Sequence, residues 1–358
     1  MKKMKKAKWS DLPEDIWRLI MEKLCWSERV PLCLVCKIWR DCIREIKNTK
    51  EFLPWLMYYD KGRKGNCSIC KLCDPSAKRI FTVKQTQIAR NRDLVPHQSR
   101  HGWVLFSKGF FGLVIKHLFL YSPFTNQVIE LPKLNKIYSK ASFSLSPTCP
   151  DCMVIALRIP KTGELEIKAW QPGYETWKTF KFSGEYDIIS QVAYAGESFY
   201  CVFSDLKRNV KKIGAFNTKH QEWQEFSGSI EVNNEPNRVY LSVAINGDLL
   251  LVTTLAQSGR ISGFQRFHLS NKKWFVVEND TIMEKQVTFI GGTSFSVPAM
   301  GNARQSAGLI IGSTPVLRCY NCLVTQQWWQ PPQYPQVYDW INKNDYNKLK
   351  RIWIQPPF

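Results

Sequence analysis

The sequence has no run of roughly 18 uninterrupted apolar residues, the length a helix needs to cross a bilayer. Its longest candidate, Gly112–Ser122, is broken by Lys116 and His117, so a membrane partner is not expected. Histidines are few. His97, His101, His117, His220 and His268 are dispersed, none lies in a metal or nucleophile motif, and His101 before Gly102-Trp103 reads as the start of a strand. Neither GxxxxGK[ST] nor GxGxxG occurs, which removes the common phosphate-cradling loops, and no acids or metal ligands cluster. No catalytic residue, cofactor or bound metal is therefore expected. Acidic residues are also scarce, 30 against 50 Lys and Arg, for a net charge of +20 that bears on partners and solubility rather than on fold. Five of those charges are Lys2, Lys3, Lys5, Lys6 and Lys8, and one further cluster is Lys207, Arg208, Lys211 and Lys212. Because Trp9-Ser10-Asp11 follows where a signal peptide would be apolar, the protein is expected in the nucleus, the cytoplasm or both. The basic tail suits nuclear import or plain solvation, with specific nucleic-acid binding ranked below both.

What is present is ample for a core: 358 residues, 44% hydrophobic and 13% aromatic, enough for one small module and one large domain. Without a secretory signal, the 12 cysteines read as reduced thiols, and Cys33, Cys36 and Cys201 sit in apolar runs as small hydrophobes. Cys67-x-x-Cys70-x-x-Cys73, Cys149-x-x-Cys152 and Cys319-x-x-Cys322 invite a zinc reading, since paired CxxC knuckles can form a tetrahedral thiolate site. Cys152 and Cys322 lead into or lie within apparent strands, where residues three apart point to opposite faces. Metal is accordingly disfavoured, and redox activity more so, because no thioredoxin-like pattern surrounds any CxxC.

One stretch, Trp9–Ile46, carries helical periodicity. Ile16, Leu19, Ile20, Met21 and Leu24 are expected to form one apolar stripe, with Asp11 and Glu14 as a capping box and Pro13 in the first turn. Ser27 caps a second helix carrying Val30, Leu34 and Val35, and a third follows with Trp39, Ile43 and Ile46 on its apolar side. So short a unit buries little surface and should need a partner. Leu12-Pro13-x-Asp15-Ile16, then Ile20 and Leu24, then Val35-Cys36-Lys37-x-Trp39-Arg40 resemble the F-box in order and spacing. The resemblance implies a three-helix module that docks on a Skp-type adaptor and so joins a cullin–RING ubiquitin ligase. Leu12, Pro13, Ile16, Ile20, Val35 and Trp39 are the contact positions it implies. Pro31 departs from the family, which has a helix former there, so the second helix should start late or kink.

Beyond Ile46 the composition turns all-β, and a recurrence appears. Trp170 and Trp177, Phe216 and Trp223, and Phe267 and Trp274 are each seven residues apart across a polar turn. Tyr121 and Val128, Cys73 and Ile80, and Cys322 and Trp329 repeat the spacing, and the units recur at about 50 residues. Such units, hairpins that bury both faces only against neighbours, make a six-bladed β-propeller. HGWVLF, FSLSP with CMVIALRI, SFYCVFS, NGDLLLVTTL and VTFIGGTSF supply the inner strands. A β-sandwich with recurring aromatics is the competing architecture. Only Gly291-Gly292 resembles the glycine pair of true kelch repeats. With HGWVLF, YSPFTNQVIELP, SPTCPDC and GYETW, the chain resembles instead the plant F-box proteins that carry a kelch-like, KIB-like propeller.

The expected plan is mainly β with a small α module: a basic tail at 1–8, the F-box at 9–48, the propeller at 49–330, and a segment 331–358 in which Arg351–Gln355 is either a strand closing the ring or a loose tail. The expected function is substrate recognition in an SCF-type E3 ligase, the F-box holding the Skp adaptor and the propeller an unidentified target protein. The alternative is a basic propeller that binds nucleic acid, disfavoured because the aromatics follow blade-core spacing rather than interleaving with Lys and Arg.

Overall fold

The computed structural model describes residues 12–24, 32, 35, 37–45, 54–60, 70–74, 79–83, 94–108, 115–205, 209–227, 237–255, 261–276, 285–291, 293–299, 309–312, 320–321 and 349–355. Two helices come first, α1 (Glu14–Lys23) and α2 (Lys37–Glu45). The segment expected to form the intervening helix, with Ser27, Val30, Pro31 and Leu34, lies outside the described residues, as does Asp11. Pro13 is the N-cap of α1 rather than a first-turn residue, and its carbonyl accepts from the amides of Ile16 at 3.1 Å and Trp17 at 3.2 Å. Glu14 is consequently the first helical residue, two positions before the third helical position that the expected capping box needs.

The remaining elements are strands. They are β1 (Trp55–Asp60), β2 (Cys70–Asp74) and β3 (Arg79–Val83), then β4 (Leu94–Arg100), β5 (Trp103–Lys108), β6 (His117–Ser122) and β7 (Gln127–Glu130). Next come β8 (Lys140–Phe143), β9 (Val154–Arg158), β10 (Leu165–Trp170) and β11 (Lys178–Phe182), followed by β12 (Ile188–Ala195), β13 (Ser198–Ser204), β14 (Val210–Asn217) and β15 (Trp223–Ser227). The chain ends with β16 (Asn237–Val243), β17 (Leu249–Leu255), β18 (Ile261–His268) and β19 (Lys273–Val276), and then β20 (Gln286–Ile290), β21 (Phe295–Pro298), β22 (Leu309–Gly312), β23 (Tyr320–Asn321) and β24 (Leu349–Ile354). Among the described residues they make six four-stranded sheets. Four are meanders in chain order, from β4–β7 to β16–β19. The first sheet takes β24 as its leading strand, in the order β24-β1-β2-β3, with Trp55 opposite Ile354. The sixth runs β21-β20-β22-β23 and contains the one parallel pairing among the described strands, β20 with β22.

Alternation of side chains explains why the sheets form a ring and not a sandwich. On β9, Val154 and Ala156 pack toward the second sheet, while Ile155 and Leu157 pack toward the fourth. On β13, Phe199, Cys201 and Phe203 face the third sheet, and Tyr200 and Val202 the fifth. Each sheet thus has two apolar faces and needs a neighbour on both, which only a closed ring or an endless array supplies. The seven-residue pairs are cross-strand partners at the hairpins: Tyr121 opposite Val128, Phe216 opposite Trp223, Phe267 opposite Trp274 and Cys73 opposite Ile80. Trp170 and Trp177 flank the corresponding turn, and the Cys322 and Trp329 pair lies outside the described residues. Val128, Trp177, Trp223 and Trp274 each lean back on the preceding sheet.

The apolar segments expected as inner strands occupy the second position in their sheets, apart from β8 and β21. The leading strands β4, β12 and β16 carry Gln, Ser and Arg. Those side chains link the ring. Gln98 Oε1 accepts from Phe143 N at 2.9 Å, Gln191 Nε2 donates to Val239 O at 2.8 Å, and the Ser242 and Ser296 hydroxyls meet at 3.2 Å. Arg100 reaches Ser144 O at 3.0 Å and Tyr194 O at 2.7 Å, Thr293 Oγ1 donates to Trp353 O, and Gln355 N donates to Ser99 Oγ at 3.1 Å. Five of the six neighbouring pairs of sheets are thus hydrogen-bonded directly, and Arg100 bridges the third sheet to the fourth. Two of the tight turns at one end of the ring, His101-Gly102 and Gly196-Glu197, have both residues at positive φ, as two-residue hairpins of matching twist require.

Candidate functional site

The two described helices build their own small core. Trp17 and Met21 are buried, with Leu12, Ile20, Leu24, Leu32 and Trp39 packed around them, and the Trp17 and Trp39 rings meet at 3.9 Å and 48°. At about 100° per residue, Trp17, Ile20, Met21 and Leu24 share an arc of about 100° on α1, and Ile16 and Leu19 fall outside it. The single stripe expected from the sequence is therefore two faces. Trp17, left out of that stripe, is the residue that anchors it.

The second face of α1 stays in solvent, with Ile16 42% exposed and Leu19 56%, and elsewhere in the module Val35 is 59% exposed, Ile38 61%, and Pro13 is exposed too. Four of the nine exposed large hydrophobics among the described residues thus fall within this short module. Isolated exposed apolar residues are ordinary, but four in so short a module are not. Burying four half-exposed side chains of this size is worth roughly 3–6 kcal/mol before ordering costs. Of the six positions singled out in the sequence, Pro13, Ile16 and Val35 are exposed, whereas Leu12, Ile20 and Trp39 are partly buried in the small core. Leu19 and Ile38 were not among them. A helical wheel centred on Trp17 would have found Leu19.

Cys70, Cys73, Cys152 and Cys201 are buried and serve as packing groups. Cys70 faces the core between the first two sheets, and Cys73, three residues on, is outside that cluster. Burial pushes the thiols of Cys70 and Cys152 up to about 12. Cys67, Cys319 and Cys322 lie outside the described residues.

Comparison with known families places residues 50–305 in the KIB1-4 beta-propeller and residues 9–51 in the F-box domain. The chain belongs to the KIB1-4 beta-propeller family. Within it, an F-box precedes the propeller here as in plant F-box/kelch-repeat proteins. F-box/kelch-repeat protein At1g57790 of Arabidopsis thaliana is 26% identical over 198 residues, 54% of this chain and 53% of that protein. F-box/kelch-repeat protein At3g18720, also of Arabidopsis thaliana, is 22% identical over 348 residues, 90% of this chain and 85% of that protein. The chain spans about half the length of At1g57790 and of F-box protein At4g00893, which is 25% identical over 227 residues.

Proposed function

We propose that this KIB1-4 propeller protein is the substrate-recognition subunit of an SCF-type ubiquitin ligase, acting in the nucleus or cytoplasm. The observation that carries the reading is the solvent-facing apolar set of Ile16, Leu19, Val35 and Ile38 on a module too small to leave such a face bare without a partner. F-box domains in general dock on Skp-type adaptors, and that apolar face suits the task. Pro13, Ile16 and Val35 contact the adaptor directly together with Leu19 and Ile38, while Leu12, Ile20 and Trp39 hold the helices in register. The propeller holds the client. The subunit performs no bond chemistry; it raises the effective concentration of a client lysine beside the charged ubiquitin carrier.

Coexpression with a Skp adaptor tests this. Wild type should give a stoichiometric complex, and Ile16→Asp with Leu19→Asp should abolish it while leaving helical content unchanged. Trp39→Ala, which strips a half-buried ring from the small core, should instead destabilise the helices by about 2 kcal/mol. Full adaptor capture by the double aspartate variant would end the proposal.

A further inference from the structure

A cavity of about 170 Å³ lies on the axis of the ring, walled by the leading strands β4, β12, β16 and β21 and by Gln355. It sits toward the end where those strands turn into their second strands. Its wall includes His97, Ser99, Arg100, Gln191, Ser294 and Ser296, and among the described residues no carboxylate lines it. The two carboxylates at the neighbouring turns are committed elsewhere, Glu197 to Lys219 at 2.6 Å and Asp248 to His268 Nδ1 at 3.0 Å and Leu269 N at 3.0 Å. Among the described residues, positive charge there has no resident counter-ion.

Arg100 supplies that charge at a fixed place. Its hydrogen bonds to Ser144 O and Tyr194 O use two of five N–H donors and hold the guanidinium over the Tyr194 ring at 5.3 Å. Three donors remain. Ser99 Oγ accepts from Gln355 N at 3.1 Å and Ser294 Oγ from Gly291 N at 3.4 Å, which leaves both hydroxyl hydrogens free to donate. Lys140 on β8 adds a second partly buried cation behind the wall. Burial and then the Lys140 charge push His97 down to about 3, and burial and then the Arg100 charge push His101 down to about 4, so both imidazoles are neutral. A buried cation without a counter-ion is costly, and an anion supplied from outside relieves that cost.

We propose that this cavity is an anion site, receiving one carboxylate or phosphate group presented by the client protein on the Arg100, Ser99 and Ser294 donors. The inference rests on the substrate-receptor reading. Its volume is well below the roughly 300–1,000 Å³ that encloses a drug-sized ligand, so it fits a single group and not a whole small molecule. A fixed arginine that keeps spare donors matches planar or tetrahedral oxyanions better than a mobile lysine would.

The test is titration of the full purified chain, using inorganic phosphate against chloride at constant ionic strength. Pentapeptides of glycine carrying a central phosphoserine, glutamate or serine form the second arm. A saturable rise in unfolding midpoint with phosphate, and binding of the phosphoserine or glutamate peptide at least tenfold tighter than the serine peptide, is expected. Arg100→Gln should abolish both responses. Since Arg100 also braces two sheets, Ser294→Glu is the second variant: it sets a carboxylate in the wall, keeps Arg100, and should abolish the responses too. No saturable response in wild type, or an undiminished one in Ser294→Glu, overturns the site. Phosphate binding without any peptide binding overturns the client assignment. Adaptor capture on the same preparations separates the two readings, because a failed titration with adaptor bound leaves the receptor role intact, whereas phosphate binding without adaptor capture sinks that role alone.

Discussion

Gly214 lies beneath the indole of Trp223, and a Cβ built there would stand 1.9 Å from Trp223 Cζ2. The ring cannot easily retreat, since its Nε1 donates to the Tyr186 hydroxyl at 2.9 Å and its face stacks on Phe182 at 5.7 Å. Gly214→Ala should accordingly cost about 1–3 kcal/mol by overpacking, read as a lower urea midpoint at unchanged slope; an unchanged midpoint would show that the ring is free to move. Glu166 poses a different problem, that of a carboxylate buried within a sheet. Arg158 Nη2 donates to its Oε2 at 2.6 Å and the Tyr138 hydroxyl to its Oε1 at 2.6 Å, with Lys136 at 3.9 Å. The hydrogen bond from Arg158, opposed by burial and aided by Tyr138, holds the carboxyl down to about 2. A folded-state value below the ordinary glutamate range of about 4.3 means the stabilisation is complete above that range and is lost as pH falls toward 2. Glu166→Gln should lower stability at pH 7 and flatten the dependence of the unfolding midpoint between about pH 4.5 and 2. A variant as acid-sensitive as wild type in that window would locate the titration elsewhere.

At the level of the element, β24 does what no other described strand does: it joins the far end of the chain to β1, pairing Leu349 through Ile354 with Asp60 through Trp55. Ile352, Trp353 and Ile354 are buried, Trp353 packs on Phe289 at 4.7 Å, and its carbonyl takes the Thr293 hydroxyl. Removing three such side chains at about 2–5 kcal/mol each exceeds much of the roughly 5–15 kcal/mol that holds a typical domain folded. A chain ending before Leu349 should therefore lose its cooperative thermal transition. A synthetic peptide of residues 349–358 should restore it in part by adding the missing strand in trans. A truncated chain that melts cooperatively at the wild-type midpoint would mean that the ring does not depend on this closure.

Over the whole molecule, the hairpins were legible because a large or apolar residue faces its mate across the described outer turns, which writes a seven-residue spacing into the chain. The F-box was legible for a similar reason, since docking and folding both demand apolar residues at helical intervals. The leading strands of the propeller were not. LVPHQSR and IISQVAYA carry the groups that tie neighbouring sheets together at the axis, so Gln98, Arg100 and Gln191 look like loop residues to any test based on apolar alternation. The two faces of α1 were merged because Ile16 and Leu19 are apolar for an external reason and Trp17 for an internal one. Sealing the ring with its last strand also has a consequence for synthesis. At roughly 5–20 residues per second, the ribosome takes on the order of 15–60 s to travel from β1 to β24. Throughout that interval the F-box has emerged but no finished propeller exists. If the proposed receptor role holds, a transcript cut short by a premature stop would yield a decoy able to occupy adaptors while delivering no client to them.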